Sequence, residues 1–243
     1  MSQRIILITG ANGGLGLAIA RAFLEEAPGN FLFLGVHQRR ERADDLLKEF
    51  SGRATCVTLD VTSAAAWVAT VKSITEQHGR LDVLVNNAGF HQDGLLATMP
   101  AEAWERVRAT NLDAVFHGCQ AVLPAMISQR GGRIINLASL SALLAPAGQA
   151  NYAAAKAGVV ALTQSLAKEV ARLGITVNAV CPGYIDTESL SGMGEEERRA
   201  AQMRVPMRRF GNPAEVAAAV RFLACAEAGY ITGSVLKIDG GIF

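Results

Sequence analysis

Residues 4–26 read Arg-Ile-Ile-Leu-Ile-Thr-Gly-Ala-Asn-Gly-Gly-Leu-Gly-Leu-Ala-Ile-Ala-Arg-Ala-Phe-Leu-Glu-Glu. The run 4–9 is apolar and of strand length. The run 15–26 repeats apolar residues at helical spacing, with Leu15, Ile19, Ala22 and Phe23 on one face. Between them stand Gly10, Asn12, Gly13, Gly14, Leu15 and Gly16. Glycines there let the backbone turn tightly, and they let a pyrophosphate approach the helix N-terminus, where free N–H groups and the dipole favour anions. Ordinary turns also collect glycine; the position between a first strand and a first helix is what points to a dinucleotide.

The same alternation continues outward. Strands are expected at 31–36, 54–59, 81–85, 133–138, 176–180 and 234–238. Helices are expected at 42–50, 64–78, 101–128, 150–173 and 213–224. Apolar strands separated by helices call for a parallel sheet covered on both faces. The expected architecture is therefore an α/β doubly wound (Rossmann) sheet of about seven strands. No linker or repeat divides residues 1–243, so one domain is expected. The long irregular stretch is 186–212, with charges at 195–199, and a loop of that length suits a lid over a site.

Half of the residues are hydrophobic and the net charge is +1, which gives no reason to expect nucleic acid or an anionic membrane as partner. Cys56, Cys119, Cys181 and Cys225 have neither CxxC nor metal-ligand spacing, so they read as reduced thiols, and no metal is expected. Met1 to Gln3 lead directly into the first strand without a leader pattern, and a cytoplasmic location is expected.

Tyr152 and Lys156 lie four residues apart on an expected helix, hence on one face about 6 Å apart along the axis. A phenol normally keeps its proton to a pKa of about 10. A neighbouring cation stabilises the phenolate and makes the hydroxyl usable as acid or base. A Tyr and a Lys on a helix surface could equally be solvated, and the rest of the chain has to decide.

The glycine spacing together with the Tyr-x-x-x-Lys pair resembles the short-chain dehydrogenase/reductase family, along the whole chain. Asp60-Val61, after the third strand, matches the pair that holds adenine in that family. Asn86-Asn87-Ala88-Gly89 matches its NNAG, which steadies the sheet and lines the cofactor. Asn111 stands at the family's helical Asn. Ser139 lies thirteen residues before Tyr152, where the catalytic serine stands; Ser141 reads as a turn residue. Pro182-Gly183, Ile185 and Thr187 match the segment holding the nicotinamide carboxamide. The resemblance implies that Tyr152 donates the proton, Ser139 stabilises the oxygen, Lys156 lowers the Tyr152 pKa and holds ribose, and Asn111 positions a water. His91 reads as a solvated loop residue, and Trp104 and Phe116 as core.

Within the family the chain is similar to 3-oxoacyl-acyl-carrier-protein reductases, through residues 148–158, 166–170, 174–178 and the tail 230–241. That resemblance implies a 3-oxoacyl substrate on an acidic carrier protein met by Arg130 and Arg172. It also implies a homotetramer in which helices 113–128 and 153–173 pair between subunits. A reductase of a free ketone, sugar or polyketide stays open, as does a non-catalytic dinucleotide sensor. The second strand ends Val36-His37-Gln38-Arg39-Arg40 with no carboxylate to repel a 2′-phosphate. His37 and Arg39 are expected to contact it, so NADP(H) is favoured over NAD(H). Gly13 stands where many NADP-preferring relatives carry a second cation.

Overall fold

Seven apolar segments form one parallel sheet in the computed structural model, which describes residues 4–243; Met1–Gln3 lie outside the described residues. The strands are β1 (Ile5–Thr9), β2 (Phe31–Val36), β3 (Ala54–Thr58), β4 (Val83–Asn86), β5 (Gly132–Leu137), β6 (Ile175–Pro182) and β7 (Val235–Ile238). Their order is β3-β2-β1-β4-β5-β6-β7. β1 is an interior strand, with Ile8 beside Leu34 on one flank and Val85 on the other. The winding therefore reverses between β1 and β4. A crevice opens at the carboxyl ends of strands where such a reversal occurs.

Period-two alternation divides the strand side chains between two cores. Ile5, Leu7 and Leu84 pack with α3 (Ala64–His78), α5 (Ala114–Ser128) and α7 (Ala150–Val170). Ile6, Ile8 and Val85 pack with α1 (Gly14–Glu26), α2 (Glu41–Glu49) and α9 (Pro213–Leu223). The remaining helices are α4 (Ala101–Arg108), the short α6 (Ser141–Leu144) and α8 (Glu195–Arg204). Trp67 of α3 is 1% exposed and donates its indole N–H to Val61 O at 2.9 Å. Burying a side chain of that size contributes about 3 kcal/mol. The same contact fixes the backbone just beyond β3.

A buried polar chain also ties the sheet to α7. Asn86 Nδ2 donates to Asn136 Oδ1 at 2.9 Å, Asn136 Nδ2 donates to Thr163 Oγ1 at 2.9 Å, and Thr163 Oγ1 donates to Val159 O at 2.7 Å. Because unpaired groups here would cost about 1–3 kcal/mol each, the chain sets the register of α7 against β4 and β5. α7 carries Tyr152 and Lys156.

Three sequence expectations need correction. The helix expected at 101–128 is interrupted by a π-turn at Ala109–Asp113, centred on Asn111. Burying Asn111 while keeping apolar residues on the core face needs an extra residue in that turn. The stretch 186–212 contains α8: Glu195, Glu196 and Glu197 occupy its first turn and Arg204 its last, matching the helix dipole. Trp104 and Phe116 are not core residues, since they are 38% and 46% exposed. Both lie on helix faces turned away from the sheet, where helical spacing alone cannot distinguish core from surface.

Candidate active site

The glycine turn is clamped from the neighbouring strand. Asn87 Nδ2 donates to Thr9 O at 2.9 Å and Gly10 O at 3.2 Å, and Thr9 Oγ1 accepts from the N–H groups of Asn87 and Ala88, both at 3.0 Å. Gly10 has φ 63, and a Cβ there would lie 2.8 Å from Ala88 Cα. A Cβ on Gly16 would lie 2.4 Å from Gly10 O, so both positions require glycine. Gly13 is open, with only Gly10 O at 3.5 Å from such a Cβ. Asn12 Oδ1 faces the other way and accepts from the N–H groups of Arg42 and Ala43, joining this turn to α2.

A cleft of about 410 Å³ runs from Gly13, Gly14 and Leu15 past Ala88 and Gly89 to Ser139, Tyr152 and Lys156. Pro182, Gly183, Ile185 and Thr187 line its other wall. Gly183 is held by its N–H donating to Ile238 O at 2.9 Å, and a Cβ on it would meet Asp239 at 3.0 Å. His37, Arg39, Asp60 and Val61 stand at the carboxyl ends of β2 and β3, the same end of the sheet, beyond the lining of this cleft. His37 and Arg39 are exposed there. Asp60 accepts from Thr62 N at 2.9 Å and Thr62 Oγ1 at 2.7 Å, and this Asx turn lowers its pKa. A larger hollow, about 710 Å³ between α3 and α5, contains none of these residues.

The four candidate catalytic residues come from three segments: Ser139 from just after β5, Tyr152 and Lys156 from α7, and Asn111 from the π-turn. Ser139 follows β5, and its Oγ accepts from Ser141 N at 3.1 Å, leaving its own proton free to donate. Ser141 Oγ instead donates to Gln149 Oε1 at 2.8 Å, eight residues on, while the turn hydrogen bond here is the one Ser139 accepts. Lys156 is 3% exposed and donates to Leu137 O at 2.7 Å; its ammonium lies 5.7 Å from the Tyr152 ring centroid. Burial lowers its pKa from 10.5 to about 8. Burial pushes the Tyr152 phenol up, opposed by a hydrogen bond from Ser139. That direction is opposite to the expected lowering by Lys156. The physical reason is that desolvation of the phenol dominates, while the ammonium is itself weakened by burial.

Asn111 is fully buried, and its Nδ2 donates to Phe90 O at 2.7 Å and Val107 O at 2.9 Å. Its Oδ1 has no partner. A Cβ on Gly89 would lie 2.5 Å from that oxygen and 3.5 Å from Lys156 Nζ, so glycine 89 keeps open the space both groups face. An unpaired buried acceptor beside a lysine fits a water-holding role.

Some site residues were not evident from the sequence. His91 meets Tyr152 edge to face at 6.1 Å and bonds Asp93 Oδ1 at 3.1 Å, so it walls the cleft as well as facing solvent. Asn151 Oδ1 accepts from Tyr152 N at 2.7 Å while its Nδ2 donates to Gln92 O at 3.0 Å, fixing the start of α7 to the 90–94 loop. Glu188 and Arg42 meet at the start of α1, joined by a short ion pair. The contacts of Asn151 with Gln92 and of Glu188 with Gly14 and Arg42 join distant parts of the chain, and only the fold brings them together. Arg130 and Arg172 are exposed just before β5 and β6, at the end of the sheet opposite to Tyr152.

Among the described residues, no helix is long and apolar enough to cross a membrane, and no group of three or more His, Cys, Asp or Glu could hold a metal ion. The cleft fits a nicotinamide dinucleotide, with close glycine packing at the start of α1 and hydroxyl, phenol and ammonium groups at the far end.

Residues 10–242 match a family model described as enoyl-(acyl carrier protein) reductase. The 3-oxoacyl-(acyl-carrier-protein) reductase FabG of Vibrio cholerae is 42% identical over 243 residues, covering 100% of this chain and 98% of that one. That of Thermotoga maritima is 42% identical over 245 residues, with the same coverage. Nodulation protein G of Azospirillum brasilense is 43% identical over 245 residues, covering 100% and 99%.

Proposed function

The chain belongs to the short-chain dehydrogenase/reductase family, and from that premise we propose that it is an NADPH-dependent 3-oxoacyl-(acyl-carrier-protein) reductase of fatty acid synthesis. The observation that carries this reading is the convergence of Ser139, Tyr152 and Lys156 at one end of a cleft whose other end is the glycine turn. Residues 1–243 are read as one catalytic domain, with residues 186–212 as its lid, in the cytoplasm.

A bound nicotinamide supplies the hydride. Tyr152 gives its proton to the carbonyl oxygen as charge builds there, and Ser139 donates a hydrogen bond to the same oxygen. Raised by burial, the phenol stays protonated until the substrate oxygen becomes basic enough to take its proton. Lys156, poised near pH 8, holds ribose and returns a proton to Tyr152 through a water at Asn111 Oδ1. Two hydroxyls aimed at one oxygen suit a carbonyl rather than a carbon–carbon double bond. Turnover of acetoacetyl thioester against crotonyl thioester, a ketone and a sugar, with each dinucleotide, tests this reading. Preference for the enoyl or sugar compound would overturn it.

NADPH is favoured because β2 ends at Val36 without a carboxylate, and Arg39 stands exposed beyond it. Arg40 is paired with Asp44 at 2.7 Å. Val36→Asp with Arg39→Ala is expected to reverse the ratio of kcat/KM for NADPH over NADH, since one charge-assisted contact contributes about tenfold to hundredfold. A double variant that keeps the wild-type ratio would show that this loop does not read the phosphate.

The subunits are proposed to form a homotetramer, which is supported by exposed Phe116 and Ile127 on α5. A two-fold axis across α5 would lay two copies antiparallel. α5 is about 22 Å long. Its far end, near Arg130, would then approach the partner's cleft, which accounts for carrier-docking residues that lie far from their own Tyr152. Charge reversal of Arg130 and Arg172 is expected to raise KM for carrier-bound substrate several-fold and to spare a small thioester. Salt should shrink the difference, because exposed charges are screened beyond about 8–10 Å. Equal losses on both substrates would overturn the docking role.

A further inference from the structure

At the start of α1 a side chain of the chain itself sits where an anion belongs. Glu188 Oε2 accepts from Gly14 N at 3.2 Å, and Glu188 Oε1 is ion-paired with Arg42. A Cβ on Gly14 would lie 2.7 Å from that carboxylate, so the glycine leaves room for an anion and Glu188 fills it. Glu188 follows Ile185 and Thr187 in the cleft wall and opens the short turn Glu188–Leu190, whose last residue also lines the cleft. Arg42 comes from the first turn of α2, where Asn12 holds its backbone N–H at 3.0 Å. The glycine turn, the second βα junction and the beginning of the lid therefore meet at one carboxylate.

We propose that Gly14 N and Arg42 form an exchange seat, filled by Glu188 in the ligand-free chain and by a pyrophosphate oxygen of the dinucleotide in the complex. The inference rests on the dinucleotide reading of the cleft. A carboxylate and a phosphate present acceptor oxygens of similar span, and an arginine fork engages either one. Both cannot occupy the seat together, so Glu188 must leave before the phosphate settles. Glu188 and Arg42 are both about half exposed, with side chains 58% and 48% accessible. An exposed pair of this kind is weak, so a dinucleotide displaces it readily while still binding less tightly than it would to an empty seat. Arg42 then passes to the phosphate. Because the seat lies at the start of α1 rather than beyond β2, Arg42 reads charge common to NADH and NADPH, whereas Arg39 reads only the 2′-phosphate.

The test is equilibrium binding of NADH and of NADPH to the full chain by calorimetry, with circular dichroism confirming that each variant is folded. Glu188→Gln keeps the side chain's size but removes its charge. It is expected to tighten both dinucleotides about five- to tenfold, the change produced when a seat free about 10–20% of the time becomes always free. In that background Arg42→Ala is expected to weaken both by about tenfold or more, while Arg39→Ala weakens NADPH alone. Unchanged affinity in Glu188→Gln would overturn the exchange. An Arg42→Ala effect confined to NADPH would move Arg42 to the 2′-phosphate and overturn the pyrophosphate assignment. A wild-type chain that binds neither dinucleotide would overturn the cofactor reading itself, and the seat with it.

Discussion

Tyr152→Phe is expected to lower kcat by about a thousandfold or more and to leave dinucleotide affinity nearly unchanged. Phenylalanine keeps the ring that packs against His91 and lies beside Lys156, so the packing survives. What disappears is the transferable proton, and general acid catalysis typically supplies about 10²–10⁴-fold. Single-turnover measurement of hydride transfer, with dinucleotide dissociation constants taken in parallel, separates the two effects. If Tyr152→Phe retains a tenth of wild-type kcat, the proton comes from elsewhere.

Removing the Lys156 charge is expected to cost activity and to stabilise the ligand-free fold. Lys156→Met should lower kcat/KM by a hundredfold or more, since the proposed relay and the proposed ribose contact would both go. The stability effect follows from a buried ammonium whose pKa falls from 10.5 to about 8. Below pH 8 both folded and unfolded chains carry the proton, and the burial penalty is fully present. Between pH 8 and 10.5 the folded chain has released the proton while the unfolded chain holds it, so stability rises with pH. Tyr152, raised by burial, acts in the opposite sense from about pH 10, where the unfolded chain ionises first. The rise is therefore confined to about pH 8–10.

The span from 10.5 to about 8 corresponds to ~3 kcal/mol. Methionine leaves the Leu137 carbonyl without its donor, which costs about 1–2 kcal/mol. At pH 7 the variant should therefore gain about 1–2 kcal/mol, and its stability should lack the rise from pH 8 to 10. Urea midpoints at pH 7 and 9.5 measure both. A variant less stable than wild type at pH 7 would mean that the lysine is held there at no cost to the fold.

The fold was legible because its signals are local. Short apolar runs such as 5–8, set between helical patterns, read as buried parallel strands, and the glycines at 10 and 16 are dictated by backbone contacts under 3 Å. Tyr152 and Lys156 could be paired because residues four apart share a helix face, and Ser139 and Asn111 could be named only through the resemblance to the family; the fold brings Ser139, Tyr152 and Lys156 to one cleft, with the unpaired Asn111 Oδ1 beside it. What the sequence left unread depends on distance along the chain. Glu188 meets Gly14 across 174 positions, and no periodicity encodes such a pair. The direction of the Tyr152 pKa was misjudged for a related reason, because spacing tells which charge is near but not how much water is lost. The π-turn at Asn111 was hidden because a single extra residue scarcely disturbs an apolar stripe.

The position of β7 bears on when a newly made chain can begin to work. β7 pairs with β6, and Gly183 N donates to Ile238 O at 2.9 Å, so the Pro182–Gly183 wall of the cleft leans on a strand translated well after it. The lid leans there too: Met207 N donates to Gly240 O at 3.2 Å, and a Cβ on Gly240 would lie 2.7 Å from Val205. Tyr152, Lys156 and the glycine turn leave the ribosome long before these residues. While residues 235–240 are still inside the exit tunnel, the nascent protein holds Tyr152 and Lys156 but lacks the support that β7 gives to the Pro182–Gly183 wall of the cleft. Turnover is thus expected to begin only after β7 has left the ribosome and docked on β6.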